Sequence, residues 1–147
     1  MTFLLDVNVL IALIDPMHIQ HDTAHDWFAA HGQPAWATCP LTENAVLRIV
    51  GHPRYPNSPG TPAAVAPLIQ ALRALPGHVF WADDISMLDV DSIDASRLLT
   101  SGQITDSYLL ALACSHKGQL ATFDHRLVTH AVRNGLQCIH LCPLDTL

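Results

Sequence analysis

The sequence predicts an α/β protein: a single three-layer domain spanning residues 1–147, with a central parallel sheet and helices on both faces. Two observations lead there. Apolar runs of strand length alternate with helix-like segments along the whole chain, and that βαβα alternation builds parallel sheets. Half of the 147 residues are hydrophobic, and a chain of this length buries about 70% of its unfolded surface, enough for one real core.

The elements follow in order. Phe3 to Asp6 reads as the first strand, and Val9 to Ile14 begins a short helix that Asp15-Pro16 breaks. A second helix is expected from about Ile19 to His31, stopping at Gly32, with Trp27 and Phe28 on its buried side. Ala35 to Thr38 makes a second strand, and Pro40, Thr42 and Glu43 open a helix that continues to Gly51. Pro53, Pro56 and Pro59 mark a loop, and Pro62 starts the next helix, about Ala63 to Leu75, which ends at Pro76-Gly77. His78 to Trp81 is a strand candidate. Asp84 and Asp94 look like N-caps of the short segments after them. A strong helix follows from Thr105 to His116, then strands at Gln119–Phe123 and Gln137–Leu141 with a short helix from His125 to Val132 between them.

Composition narrows the function classes. No stretch reaches the ~20 apolar residues of a membrane helix. The apolar N-terminus lacks a basic region, and Asp6 and Asn8 interrupt it, so a cytoplasmic protein without a membrane partner is expected. Cys39, Cys114, Cys138 and Cys142 never form a C-x-x-C pair and read as buried free thiols. The net charge of −6 argues against a broad electrostatic grip on nucleic acid. Part of that acidity would be offset by divalent ions if the acids cluster.

Four acids stand in apolar surroundings: Asp6, Glu43, Asp106 and Asp124. A lone buried carboxylate destabilises the fold unless a cation or good donors compensate it. Asp6 and Asp124 fall at strand ends, Glu43 and Asp106 in first helical turns, which places all four at the carboxyl edge of a parallel sheet, where such folds build their sites. Magnesium prefers oxygen ligands and keeps several waters, so an acidic pocket of this kind suits Mg²⁺, with Mn²⁺ as the alternative, and phosphodiester hydrolysis. Asn8 can fix a carboxylate or a water, and Thr105 and Thr122 can donate to the neighbouring acids. Each acid also has an ordinary reading. Glu43 could complete a capping arrangement, Asp106 could face a helix dipole, and Asp124 could be a turn acid. Asp6 resists such a reading, because its surroundings are apolar on both sides.

The stretches Leu5-Asp6-Val7-Asn8-Val9-Leu10-Ile11, Thr42-Glu43, Thr105-Asp106-Ser107-Tyr108-Leu109-Leu110-Ala111-Leu112-Ala113 and Leu120-Ala121-Thr122-Phe123-Asp124 resemble, in order and spacing, those of the PIN-domain ribonucleases. Among these the likeness is to VapC-type toxins of bacterial toxin–antitoxin pairs. The resemblance covers essentially the whole chain. It implies a Mg²⁺-dependent endoribonuclease inhibited by a cognate antitoxin, acting on RNA and forming a homodimer. Asp6 and Asp106 would be the principal metal ligands, with Glu43 and Asp124 completing the pocket. No further acid follows Asp106 on its helix, only Ser107 and Tyr108.

Arg126, two positions after Asp124, is the cation expected nearest the pocket, to contact RNA phosphate or balance charge. His18, His21 and His25 read as a surface or partner-facing patch rather than a metal site. Two other classes compete with the nuclease. A receiver-like signalling domain also places acids and Mg²⁺ at a sheet edge but needs a lysine at a late strand end, whereas Lys117 precedes its strand. A catalytically silent module of the same fold would have no reason to keep all four acids.

Overall fold

Five short strands, Phe3–Leu5 (β1), Trp36–Thr38 (β2), His78–Phe80 (β3), Gln119–Thr122 (β4) and Ile139–Leu141 (β5), form one sheet in the order β3-β2-β1-β4-β5. Every neighbouring pair is parallel. This is the arrangement in the computed structural model, which describes residues 1–145. The chain leaves the central strand β1 toward β2 on one side and returns through β4 on the other, so the order reverses at the β1–β4 boundary.

Strand alternation sorts the core into two halves. Leu5, Trp36 and Ala121 point to one face and pack with the helices Val7–Ile14 (α1), His21–Trp27 (α2), Pro40–Val50 (α3) and Pro62–Arg73 (α4). Leu4, Ala37 and Leu120 point to the other face and meet helix Ile104–Ser115 (α5). The result is the expected three layers. All strands but the edges are buried on both sides, which is why they read as continuous apolar runs rather than alternating ones.

Several boundaries follow from local chemistry. Helix α1 begins at Val7, two residues before the expected start, because Asp6 has extended backbone and its carboxylate accepts from the Val7 N–H at 2.8 Å. A turn of π-helix, Phe28–Gly32, extends α2 to the glycine that the sequence marks as its end. Thr61 caps α4 through the Ala64 N–H, with Pro62 in the first turn. Of the histidines expected as a surface patch, His25 is exposed and His18 and His21 are partly buried, and two of them close a helix end. His21 and His25 meet the Ala12 and Leu13 carbonyls at 2.7 and 2.8 Å, the orphan acceptors at the end of α1.

Three expectations fail for physical reasons. Residues 125–132 form turns, not a helix, because their backbone is committed elsewhere. The Asp94 N–H donates to the Ala131 carbonyl and Val132 bridges Ile93, while Ala131 and Val132 are buried. Asp84 caps nothing, whereas Asp94 does cap a short 3₁₀ turn at Ala95–Arg97. Cys114 and Cys138 are not free thiols. They form a disulfide with Cα atoms 5.5 Å apart, joining the end of α5 to the turn before β5. Cys39 and Cys142 remain buried free thiols, as expected. Burial, and then the nearby Asp6, push the Cys142 thiol up to about 12.

Asp15 is a second buried carboxylate, satisfied within the protein. It ends α1 and accepts from the Tyr55 hydroxyl, the Asn57 amide and the Met17 N–H. Burial pushes its pKa up, but these donors hold it below the usual carboxylate value. Its contribution to stability is therefore present above the unfolded carboxylate pKa and lost as the pH falls through the lower folded one. Tyr55→Phe removes one charge-assisted bond and should cost about 1.5–3 kcal/mol at neutral pH. Urea unfolding at pH 7 checks this, and an unchanged midpoint would remove Tyr55 from the stability argument.

Candidate active site

Asp6 stands where β1 gives way to α1, next to the carboxyl end of β4. It is 6% exposed. One carboxylate oxygen is held by the Val7 N–H and the other accepts from the Thr122 hydroxyl at 2.7 Å. Thr122 is the hub of the network. Its oxygen receives the Asn8 amide at 3.2 Å and the Asp124 N–H at 3.0 Å, so its own proton is directed to Asp6. The Asn8 carbonyl oxygen accepts from the Phe123 N–H. Thr122 thus donates to an acid as expected, whereas Asn8 touches no carboxylate and instead locks the β4–loop turn to the start of α1.

Asp124 is exposed at the rim of this turn, and its carboxylate accepts from the Arg126 N–H at 2.9 Å. Asp106, in the first turn of α5, is half-buried. Among the described residues, its carboxylate accepts no hydrogen bond, and none of Asp6, Asp106 and Asp124 ion-pairs with a lysine or arginine. The electrostatic consequences are large. Burial raises the Asp6 pKa against the donors Thr122 and Val7, and Asp124 adds repulsion. Burial, then Asp6, then Asp124 push Asp106 up to about 6. Asp6, Asp106 and Asp124 therefore feel one another's charge across the point where the strand order reverses.

Glu43 has partners of its own. It is in the first turn of α3, but its carboxylate is engaged by the Thr38 hydroxyl at 2.6 Å and by Arg73 of α4 at 3.2 Å. Thr38 also meets the His78 ring at 2.8 Å. Arg73 in turn lies over the Phe80 ring, 5.3 Å from its centre. Asp6, Asp106 and Asp124 are thus near enough for their charges to interact, while Glu43 is held by Thr38 and has a cation of its own. Thr105 is exposed and makes no side-chain hydrogen bond among the described residues. Arg126 is exposed, and its backbone rather than its guanidinium touches Asp124. Lys117 precedes β4, at the edge opposite the acids, which removes the receiver-like arrangement.

Arg73, Thr38 and Phe80 were not among the residues the sequence singled out. The one available signal was the pattern of β3, where an aromatic residue ends a short strand facing the acid-bearing edge.

As a donor set, Asp6, Asp106 and Asp124 offer only carboxylate oxygens, backed by a hydroxyl and an amide. That is the ligand chemistry of a hard cation such as Mg²⁺ or Mn²⁺ rather than of zinc or copper. Among the described residues, no three His, Cys, Asp or Glu side chains stand close enough to enclose an ion unaided. An open arrangement of that kind fits an ion that keeps several of its waters. The group fits these residues.

A parallel five-stranded sheet with acids converging at its switch point is the architecture of a PIN domain, and the family profile for that domain matches residues 3–132. The chain belongs to the PIN-domain family. Within it, the chain is a VapC-type ribonuclease. It is 42% identical over 132 residues to Ribonuclease VapC44 of Mycobacterium tuberculosis, covering 90% of this chain and 92% of that protein. It is 39% identical over 131 residues to Ribonuclease VapC39 of the same species, covering 89% and 94%. A chain in the crystal structure of VapBC2 from Rickettsia felis bound to a DNA fragment from their promoter shares the fold. That match has a TM-score of 0.53 at 10% identity, over 84% of this chain and 89% of that one.

Proposed function

We propose that this protein is a Mg²⁺-dependent endoribonuclease, the toxin of a toxin–antitoxin pair, acting in the cytoplasm as a homodimer and restrained by a cognate antitoxin. The observation that carries the metal-dependent reading is the convergence of Asp6, Asp106 and Asp124 with no neutralising cation among the described residues. Three carboxylates so placed repel one another and take up protons unless a metal joins them. Asp6, Asp106 and Asp124 would hold the ion, which supplies phosphate charge neutralisation and a more acidic attacking water.

The chain's own groups set up the rest. Thr122 keeps Asp6 oriented and favours its ionised form. Asn8 fixes the Thr122 hydroxyl, so the direction of that bond does not depend on the substrate. Asp106, free of protein donors among the described residues, is the carboxylate with most freedom to hold a water or take its proton. Glu43, tied to Thr38 and Arg73, serves the edge of the pocket, and Arg126 is placed to meet phosphate beyond Asp124. Direct attack by water leaves 5′-phosphate and 3′-hydroxyl ends.

The test is incubation of the full chain with a pool of cellular RNA, with Mg²⁺ or with EDTA, followed by end analysis. The expected result is cleavage with Mg²⁺ only and 5′-phosphate products. Cleavage of equal extent in EDTA, or 2′,3′-cyclic ends, would refute the metal mechanism.

A further inference from the structure

The carboxyl edge of the sheet carries a second cluster, around Phe80 and Arg73, two strands from β1. Phe80 ends β3, an outermost strand of the sheet. It is 48% exposed, although it belongs to a sheet whose inner strands are fully covered. Strand register sets Phe80 directly beside Thr38, and Thr38 is the residue whose hydroxyl holds Glu43. The ring is therefore one residue across from the acid-bearing edge and on the same side of the sheet as Thr38.

Arg73 completes the cluster from α4. Its guanidinium lies over the Phe80 ring and contacts Glu43 through Nη1 alone. The other guanidinium donors have no protein hydrogen-bond partner among the described residues. The Arg73 side chain is 40% exposed while that of Glu43 is 18% exposed, so the arginine neutralises a mostly covered carboxylate with one nitrogen and turns the rest of its guanidinium to solvent. Neutralising Glu43 explains one nitrogen of Arg73, but not the free donors or the open aromatic ring beneath them. Single-stranded nucleic acid accounts for both, because it offers a base with two flat faces for each phosphate.

We propose that Phe80 and Arg73 form a subsite for one unpaired nucleotide of the RNA, at the same carboxyl edge of the sheet as the three acids and two strands from β1. The base stacks on the Phe80 ring, and a flanking phosphate meets the unused donors of Arg73 while Nη1 stays on Glu43. This rests on the ribonuclease reading. It adds the residues that receive a base away from the acids, where an unpaired base has a free face to give.

The experiment measures binding and cleavage separately in the full chain with Mg²⁺. Binding is read by fluorescence anisotropy of a labelled, mixed-sequence single-stranded RNA in an Asp6→Asn background, and cleavage by KM and kcat in the otherwise native chain. Phe80→Leu should weaken binding about 5- to 160-fold, the range for loss of one stacked base. It should raise KM more than it lowers kcat, and Phe80→Trp should bind at least as well as the native ring. Arg73→Gln should weaken binding and reduce the slope of log K against log salt by about one phosphate contact. The Arg73 variant also provides an independent reading if Phe80→Leu lowers the melting temperature.

Native-like RNA binding by both Phe80→Leu and Arg73→Gln overturns the subsite. Native-like binding combined with lost self-association in sedimentation velocity assigns the patch to a second copy of the chain and also overturns it. If the native chain cleaves RNA, Asp6→Asn does not, and the Phe80 and Arg73 variants match the native chain, the subsite alone fails. If the native chain neither binds nor cleaves RNA, the ribonuclease reading fails and the subsite with it.

Discussion

Asp6→Asn should reduce RNA cleavage by about 1,000-fold or more while leaving the protein folded. The loss follows from position. Outer groups that merely orient a metal ligand cost about 10–100-fold when removed, and Asp6 is a ligand candidate rather than an orienting group. Thr122→Val, which deletes only the hydroxyl that orients Asp6, should therefore fall within that lower range. Stability should move the other way. The asparagine oxygen still accepts from Val7 or Thr122, but the buried charge and its repulsion from Asp124 are gone. The melting temperature without metal should be unchanged or higher. Cleavage by Asp6→Asn at the native rate would exclude Asp6 from the chemistry.

Asp106→Asn should abolish the stabilisation that Mg²⁺ confers and flatten a pH dependence that the native chain shows without metal. Asp106 titrates at about 6 in the folded chain against an ordinary 3.8. The folded state therefore binds its proton more tightly than the unfolded state does. Between these two values the folded chain carries more protons, so stability falls as the pH rises through that window and stays lower above it. Asp15 acts with the opposite sign at lower pH, so the informative quantity is the difference between native chain and variant at each pH, measured by urea unfolding. In the native chain, Mg²⁺ above pH 6 should raise the melting temperature by binding the folded state alone. A variant with the native thermal response to Mg²⁺ would show that Asp106 holds no ion.

The strands and helices were legible because each is announced by residues close together in sequence. Asp6 in its apolar run marked the β1–α1 junction, and Pro62 and Gly32 marked helix ends. The layers followed, since fully buried parallel strands carry unbroken apolar runs. What stayed hidden depends on pairing across distance. Glu43 looks like a member of the acidic pocket from its own helix. The arginine that claims it lies 30 positions later, on a helix whose packing no local pattern specifies. The Cys114–Cys138 bond is hidden for the same reason, because its 24-residue separation resembles no short motif. Residues 125–132 carry helix-compatible side chains, yet their backbone donors and acceptors are taken by the Ile93–Asp94 segment. Thr122 was legible as a helper to an acid, but its bond crosses to Asp6 as well as serving its neighbour Asp124.

The Thr122–Asp6 bond spans 116 positions, and β1, which delivers Asp6, lies between β2 and β4 in the sheet. A chain still being synthesised can pair β1 with β2 early, but it has no Asp106 and no β4 until most of its length has emerged. The Asp6–Thr122 bond can therefore form only after β4 has been made. A fragment stopping short of β4 lacks the hydroxyl that orients Asp6.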